Sequence, residues 1–134
     1  MAKLLSSDDL GKLVLRLTTG GLMLLHGVHK VLHPDSLDFI RKLLVSIDLP
    51  PLLAYGVYLG EVVGGLMIIL GIYSRMGGAL VFGNMVFALT LAHREELWTL
   101  SSTGGWAVEL QAFYLFSALT ILLLGSGRIA IKPD

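Results

Sequence analysis

The sequence predicts an all-α membrane protein: four transmembrane helices in an up-down bundle, with a short amphipathic interfacial helix between helices one and two. Three observations carry this fold class. Hydrophobic residues make up 54% of the 134 residues and charged residues 15%, against roughly 25% charged in soluble domains. Ten cations and ten anions are too few to cover the surface that so small a soluble fold leaves exposed. Four apolar runs, at about 13–32, 52–72, 76–92 and 106–124, each approach the ~20 helical residues that cross a ~30 Å hydrocarbon core. The runs lack period-two alternation and four strands cannot close a barrel, so helices are the backbone that satisfies its own hydrogen bonds in lipid. The length fits one domain over residues 1–134.

The same arithmetic excludes other classes. Net charge is zero, so the basic surplus that phosphate contacts demand is missing and nucleic acid is not an expected partner. There is no cysteine, hence no disulfide, thiolate nucleophile, cysteine-bound zinc or iron–sulfur cluster from this chain.

The first run follows Asp8 and Asp9, is too long for a signal-peptide core and lacks a small-x-small site after it, so it reads as a retained membrane helix. Between runs one and two, residues 36–49 place Leu37, Ile40, Leu44 and Ile47 on one stripe, with Asp38, Arg41, Lys42 and Asp48 off it. Pro34 opens this segment and Pro50–Pro51 closes it, which predicts an amphipathic helix lying in the interface. Runs two and three are joined by the tight turn 71–75, and runs three and four by 94–105. Four spans put both termini on one side, with Lys3, Lys12, Arg16, Arg75, Arg128 and Lys132. The other side holds Lys30, Arg41, Lys42 and Arg94. The excess favours both termini in the cytoplasm of a multi-pass inner-membrane protein.

Several residues are costly or unusual in such helices. Gly56, Gly60 and Gly64 form a track that lets helix backbones approach, within the bundle or between protomers. Glu61 lies in the middle of the same run, where a free carboxylate costs at least ~2.5 kcal/mol. His26, His29, Lys30 and His33 share a stripe on helix one. Antiparallel connectivity brings His26, Lys30, Glu61, His93 and Glu109 into one half of the bundle, a candidate polar pocket. Depth matching pairs Glu61 with His26, and Lys30 with Glu109. The histidines admit three readings: interfacial side chains reaching water, a proton relay or quinone hydrogen-bonding site, and a metal site. The last is disfavoured because no compact ligand motif is present, and no metal is assigned. Arg16 and Arg75 at the opposite end suggest lipid head-group contacts. Trp98 and Trp106 suggest interfacial anchors.

The chain resembles the DoxX family of small bacterial and archaeal membrane proteins. The resemblance rests on LVLRLTTGGLMLLHGVHKV in helix one, LGEVVGGLMIILGIYSRMGGAL from helix two into three, and the terminal LLLGSGRIAI. The glutamate with paired glycines, then Leu-Gly-x-x-x-Arg, is its most specific part. Arg16, His26 or Gly27, Lys30, Glu61 and Arg75 match the recurrent polar positions. The resemblance implies a four-helix inner-membrane protein, linked in some relatives to quinone-dependent oxidoreductase complexes. Three functional classes follow. One is a quinone-interacting subunit of a membrane oxidoreductase, with quinone held by Lys30, His26 and Glu61. Another is a non-enzymatic scaffold or assembly factor. The third, a small oligomeric carrier, is weaker, because four helices around a glycine seam leave little room for a pore. Expected partners are membrane lipids and either further copies of the chain or another membrane subunit.

Overall fold

The computed structural model describes residues 7–134. Lys3, one of the cations assigned to the terminal side, lies outside the described residues. Among the described residues there are five α-helices and no strand beyond two isolated bridges.

Helix α1 runs Ser7–Leu32, about 39 Å at 1.5 Å per residue. It starts well before the apolar run, because Asp8 and Asp9 in its first turn suit the positive end of the helix dipole. Lys12 also bonds Asp8 one turn back at 2.9 Å. It ends before His33-Pro34, as the residue preceding a proline is pushed out of helical geometry.

A 3-10 turn, Pro34–Leu37, leads into α2, Asp38–Ser46. This helix is shorter than the 36–49 expected, and Asp48 adopts a left-handed φ of 59°. Leu37 and Leu44 are fully buried against Ala54 and Val57, with Ile40, Tyr58, Phe87 and Leu91 around them. Ile47, counted on the same stripe from the sequence, lies past the helix end and is half exposed. α2 is therefore docked on the bundle through its apolar stripe.

Helix α3, Pro51–Leu70, changes its winding along its length. A 3-10 turn over Pro51–Tyr55 passes through one α turn, Gly56–Tyr58, into a π segment, Leu59–Val63, before α geometry resumes at Gly64–Leu70. Gly71 ends it at φ 70°, the left-handed cap that glycine adopts without penalty. Helix α4 is Ser74–Leu91. Helix α5 is Glu109–Leu124; it begins after Trp106, whose indole Nε1 donates to Leu97 O at 2.8 Å in the preceding loop.

Neighbouring helices run antiparallel. Arg16 meets Ile68 and Lys30 meets Glu61 between α1 and α3, Gly64 meets Gly77 between α3 and α4, and Gly78 meets Ala118 between α4 and α5. Glycine makes these approaches possible: a Cβ on Gly20 would lie 2.9 Å from Gly65 O, and one on Gly78 2.8 Å from Ala118 O. The expected packing track holds for Gly60, against Asn84, and Gly64, but Gly56 has nothing within 4 Å. Gly56 belongs to an open surface, because it sits where α3 has not yet closed on α4. The core is Met23, Ile68, Val81, Met85, Tyr114, Ala118 and Ile121.

The end of the bundle nearest the termini is closed by residues 125–134. Arg16, 1% exposed, donates to four carbonyls: Ile68 O at 2.9 Å, Ile69 O at 3.0 Å, Ser126 O at 3.0 Å and Ile129 O at 2.6 Å. It therefore cannot serve lipid head groups, a correction to the sequence reading. Arg16, more than two turns inside α1, meets unsatisfied carbonyls at the end of α3 before it reaches the interface. Arg75 likewise turns to carbonyls, donating to Leu122 O and Leu123 O at the end of α5. Asp134 accepts from Arg75 N and Ser126 N, and Asp9 accepts from Arg128 N.

The outer faces are apolar, as at Leu25, Leu32, Leu59, Phe113 and Phe116. α3 and α4 are long and apolar enough to cross a membrane, yet only 39% and 33% of their most apolar stretches are buried inside the protein. Exposed apolar surface on that scale marks a lipid or protein contact.

Candidate functional site

At the end opposite the tail, α1, α3, α4 and α5 splay around a cavity of about 130 Å³ roofed by Ile40 of α2. Its floor and walls are apolar, with Met23, Val57, Met85, Phe87 and Leu91 among them. Its polar groups are His26, Lys30, Glu61, Asn84, His93, Gln111 and Tyr114.

Glu61 is the buried centre of the site, 3% exposed. It lies in the middle of the π segment. Single π turns inside α-helices recur at functional sites, since the extra residue per turn re-aims a side chain. α1 passes close because Gly27 faces Glu61; a Cβ there would lie 3.0 Å from Glu61 Cβ. Lys30 Nζ donates to both carboxylate oxygens, at 2.5 and 2.8 Å. Tyr58 OH donates to Lys30 O at 3.0 Å and ties the end of α1 to α3.

This corrects the expected pairing. Glu61 takes Lys30, not His26, because the four-carbon lysine stem reaches from a shallower turn to the carboxylate. The His26 ring instead packs edge-on against Tyr114 at 5.8 Å. Lys30 and Glu109 form no bridge. Gln111 and Tyr114, three residues apart, face the cavity, while Glu109 shares the other face of α5 with Ala112, Phe113 and Phe116. Residues 109 and 111 diverge by about 200° on a helix of 3.6 residues per turn. Glu109 lines a separate surface groove of about 420 Å³.

His93 stands at the cavity mouth, its Nδ1 3.4 Å from Glu96 Oε2 and its Nε2 3.4 Å from Gln111 Nε2. The structure thus brings together His26, Lys30, Glu61 and His93 and leaves Glu109 outside. His29 and His33 stack on each other at 4.3 Å, exposed and away from the cavity. Among the described residues no group of three or more His, Asp or Glu is placed to hold a metal.

Asn84, Gln111 and Tyr114 complete the site. Asn84 and Tyr114 escape the sequence reading, which notes Gln111 at the start of the fourth helix but chooses Glu109 for the pocket. The carboxamide of Asn84 in the middle of an otherwise apolar helix was the available signal. Tyr114 is 8% exposed and its hydroxyl has no hydrogen-bond partner among the described residues.

The chain is 28% identical over 127 residues, 95% of its length and 88% of the relative's, to the Bacillus subtilis (strain 168) protein named "Putative oxidoreductase CatD". No solved structure matches it. The DoxX family model matches residues 11–94, which include Arg16, His26, Lys30, Glu61, Asn84 and His93, and the chain belongs to the DoxX family.

Proposed function

We propose that the protein binds a quinone as the membrane-embedded subunit of an oxidoreductase complex. In this reading α1, α3, α4 and α5 all cross the inner membrane, with both termini on the cytoplasmic side. The observation that carries it is the Lys30–Glu61 ion pair on the wall of an apolar cavity. An ion pair withdrawn from solvent recovers its desolvation cost poorly, and an ionisable group inside a membrane helix is a functional candidate by default. The name of the Bacillus subtilis relative supports the redox class. The apolar outer faces and the length of α1 support spanning. α5, about 24 Å long, fits a locally thinner bilayer.

The residues present fit a quinone head group. A cavity of about 130 Å³ is close to the ~150 Å³ that accommodates one benzene ring. Met23, Met85 and Phe87 would face the ring, and the Lys30 ammonium and Tyr114 hydroxyl would donate to its carbonyl oxygens. When bound, a quinone supplies a ring that takes up electrons and protons. Glu61 holds Lys30 in place. His26 and His93 at the mouth give protons a route from water. A partner subunit would deliver the electrons, since the chain has no cysteine for an iron–sulfur cluster.

The test is the lipid extract and absorption spectrum of the purified protein. Quinone is expected to co-purify, and Glu61→Gln to lower its occupancy about tenfold while the helical content stays unchanged. A stoichiometric protein partner without quinone would instead support a scaffold.

A further inference from the structure

The cavity beside Lys30 and Glu61 has room for one ring, so anything attached to that ring must leave it. Three of its lining residues, Val57, Asn84 and Phe87, also line a groove of about 180 Å³ on the outer face between α3 and α4. The floor of this groove is Gly56, Gly60 and Gly83. Nothing lies within 4 Å of where a side chain would begin at Gly56 or Gly83, so the chain itself does not fill the space. The walls are leucines. Two unpartnered polar groups lie along the same path. Tyr114, more than nine-tenths buried, lines the cavity, and the Asn84 carboxamide lines both cavity and groove with no hydrogen bond among the described residues. A polar ring is called for inside and an apolar strip outside, and Val57, Asn84 and Phe87 line both spaces.

We propose that the ligand is a ring bearing one long apolar tail, which leaves between Val57, Asn84 and Phe87 and lies in the glycine-floored groove. The proposal rests on the quinone reading and names its class: a membrane-soluble, tailed quinone rather than a water-soluble one. A ring-sized head in the cavity and a narrow strip beyond it match one chain, with the polar contacts confined to the head.

The experiment uses the full-length protein in one detergent and two probes, a 1,4-benzoquinone with a long isoprenoid tail and its tailless methyl analogue, titrated calorimetrically. The double variant Gly56→Leu/Gly83→Leu fills the groove where no packing is disturbed. Gly21→Leu, at an α1 position equally free of neighbours, is the control. Wild type and Gly21→Leu should hold the tailed probe at least about tenfold more tightly than the tailless one. The double variant should lose that preference and hold the tailless probe unchanged. Equal binding of the two probes by wild type overturns the proposal. So does a double variant that weakens both probes alike or keeps the preference. A change only in oligomer size, or only in bound phospholipid, assigns the groove to a second copy or to bulk lipid and also overturns it. If neither probe binds wild type, the quinone reading itself fails.

Discussion

Glu61 holds two hydrogen bonds from a single ammonium, and removing either partner strands the other. Glu61→Leu should destabilise the fold by less than the about 3–5 kcal/mol that breaking a fully buried pair costs, because the Lys30 left behind is a quarter exposed. Lys30→Met/Glu61→Leu together should recover most of it, because a pair replaced by apolar groups of similar volume is near neutral. Thermal unfolding of the three proteins checks this, and the double variant should regain its fold without regaining ligand. Arg16 is a second single-residue hinge of the structure. Arg16→Met leaves four carbonyls without their donor, each costing on the order of 1–3 kcal/mol where no water replaces it. Limited proteolysis should then cut within residues 125–134, which wild type protects. Tyr73 reports on the same tail: the hydrogen bond from Lys132, with its charge, holds the phenol below the ordinary value of 10.0. A depressed acid stabilises the fold above its unfolded pKa, and that contribution is lost as pH falls through the lowered one. Lys132→Met should return the Tyr73 ionisation to the ordinary range in an alkaline absorbance titration.

Among the elements, α3 has the most varied geometry. Its π segment puts Glu61 beside Gly27 and Lys30, and its next turn presents Gly64 to Gly77. Gly64→Leu should overpack the α3–α4 contact and cost about 1–3 kcal/mol or more, whereas Gly56→Leu should leave the melting temperature nearly unchanged. Part of this was legible in the sequence: the mid-helix carboxylate, the glycine spacing and the antiparallel order all follow from composition and period. The π segment was not legible, since Leu-Gly-Glu-Val-Val carries no signature that separates it from an α turn. Helix ends were blurred because hydropathy marks where a chain is apolar, and α1 continues helical through Asp8, Asp9 and Lys12. The position of Glu109 was recoverable from helical period alone, since a residue two places from Gln111 cannot share its face. The Lys30–Glu61 pair was hidden because depth was counted at Cα, while a lysine side chain adds most of a helical turn of reach.

For the whole molecule, the helix order makes the proposed topology directly measurable. The chain contains no cysteine, so single cysteines at exposed Phe39, Trp98 and Lys132 are clean probes. Impermeant thiol labelling of intact and opened vesicles should find positions 39 and 98 on one side and 132 on the other. Labelling of 39 and 132 from the same side would refute the four-span arrangement.

The tail that Arg16 stitches across one end has an electrical consequence. Between that closure and the cavity the interior is filled by Met23, Ile68, Val81 and Ile121, so the cavity opens toward one end of the bundle only, and a ligand reacting there as proposed would exchange its protons with a single compartment. In the quinone reading proposed above, protons would be exchanged on the cavity side alone, and the side from which the partner subunit delivers electrons would set whether turnover moves charge across the membrane. Vesicles carrying the protein together with its electron-donating partner and supplied with reductant should change pH on the cavity side alone.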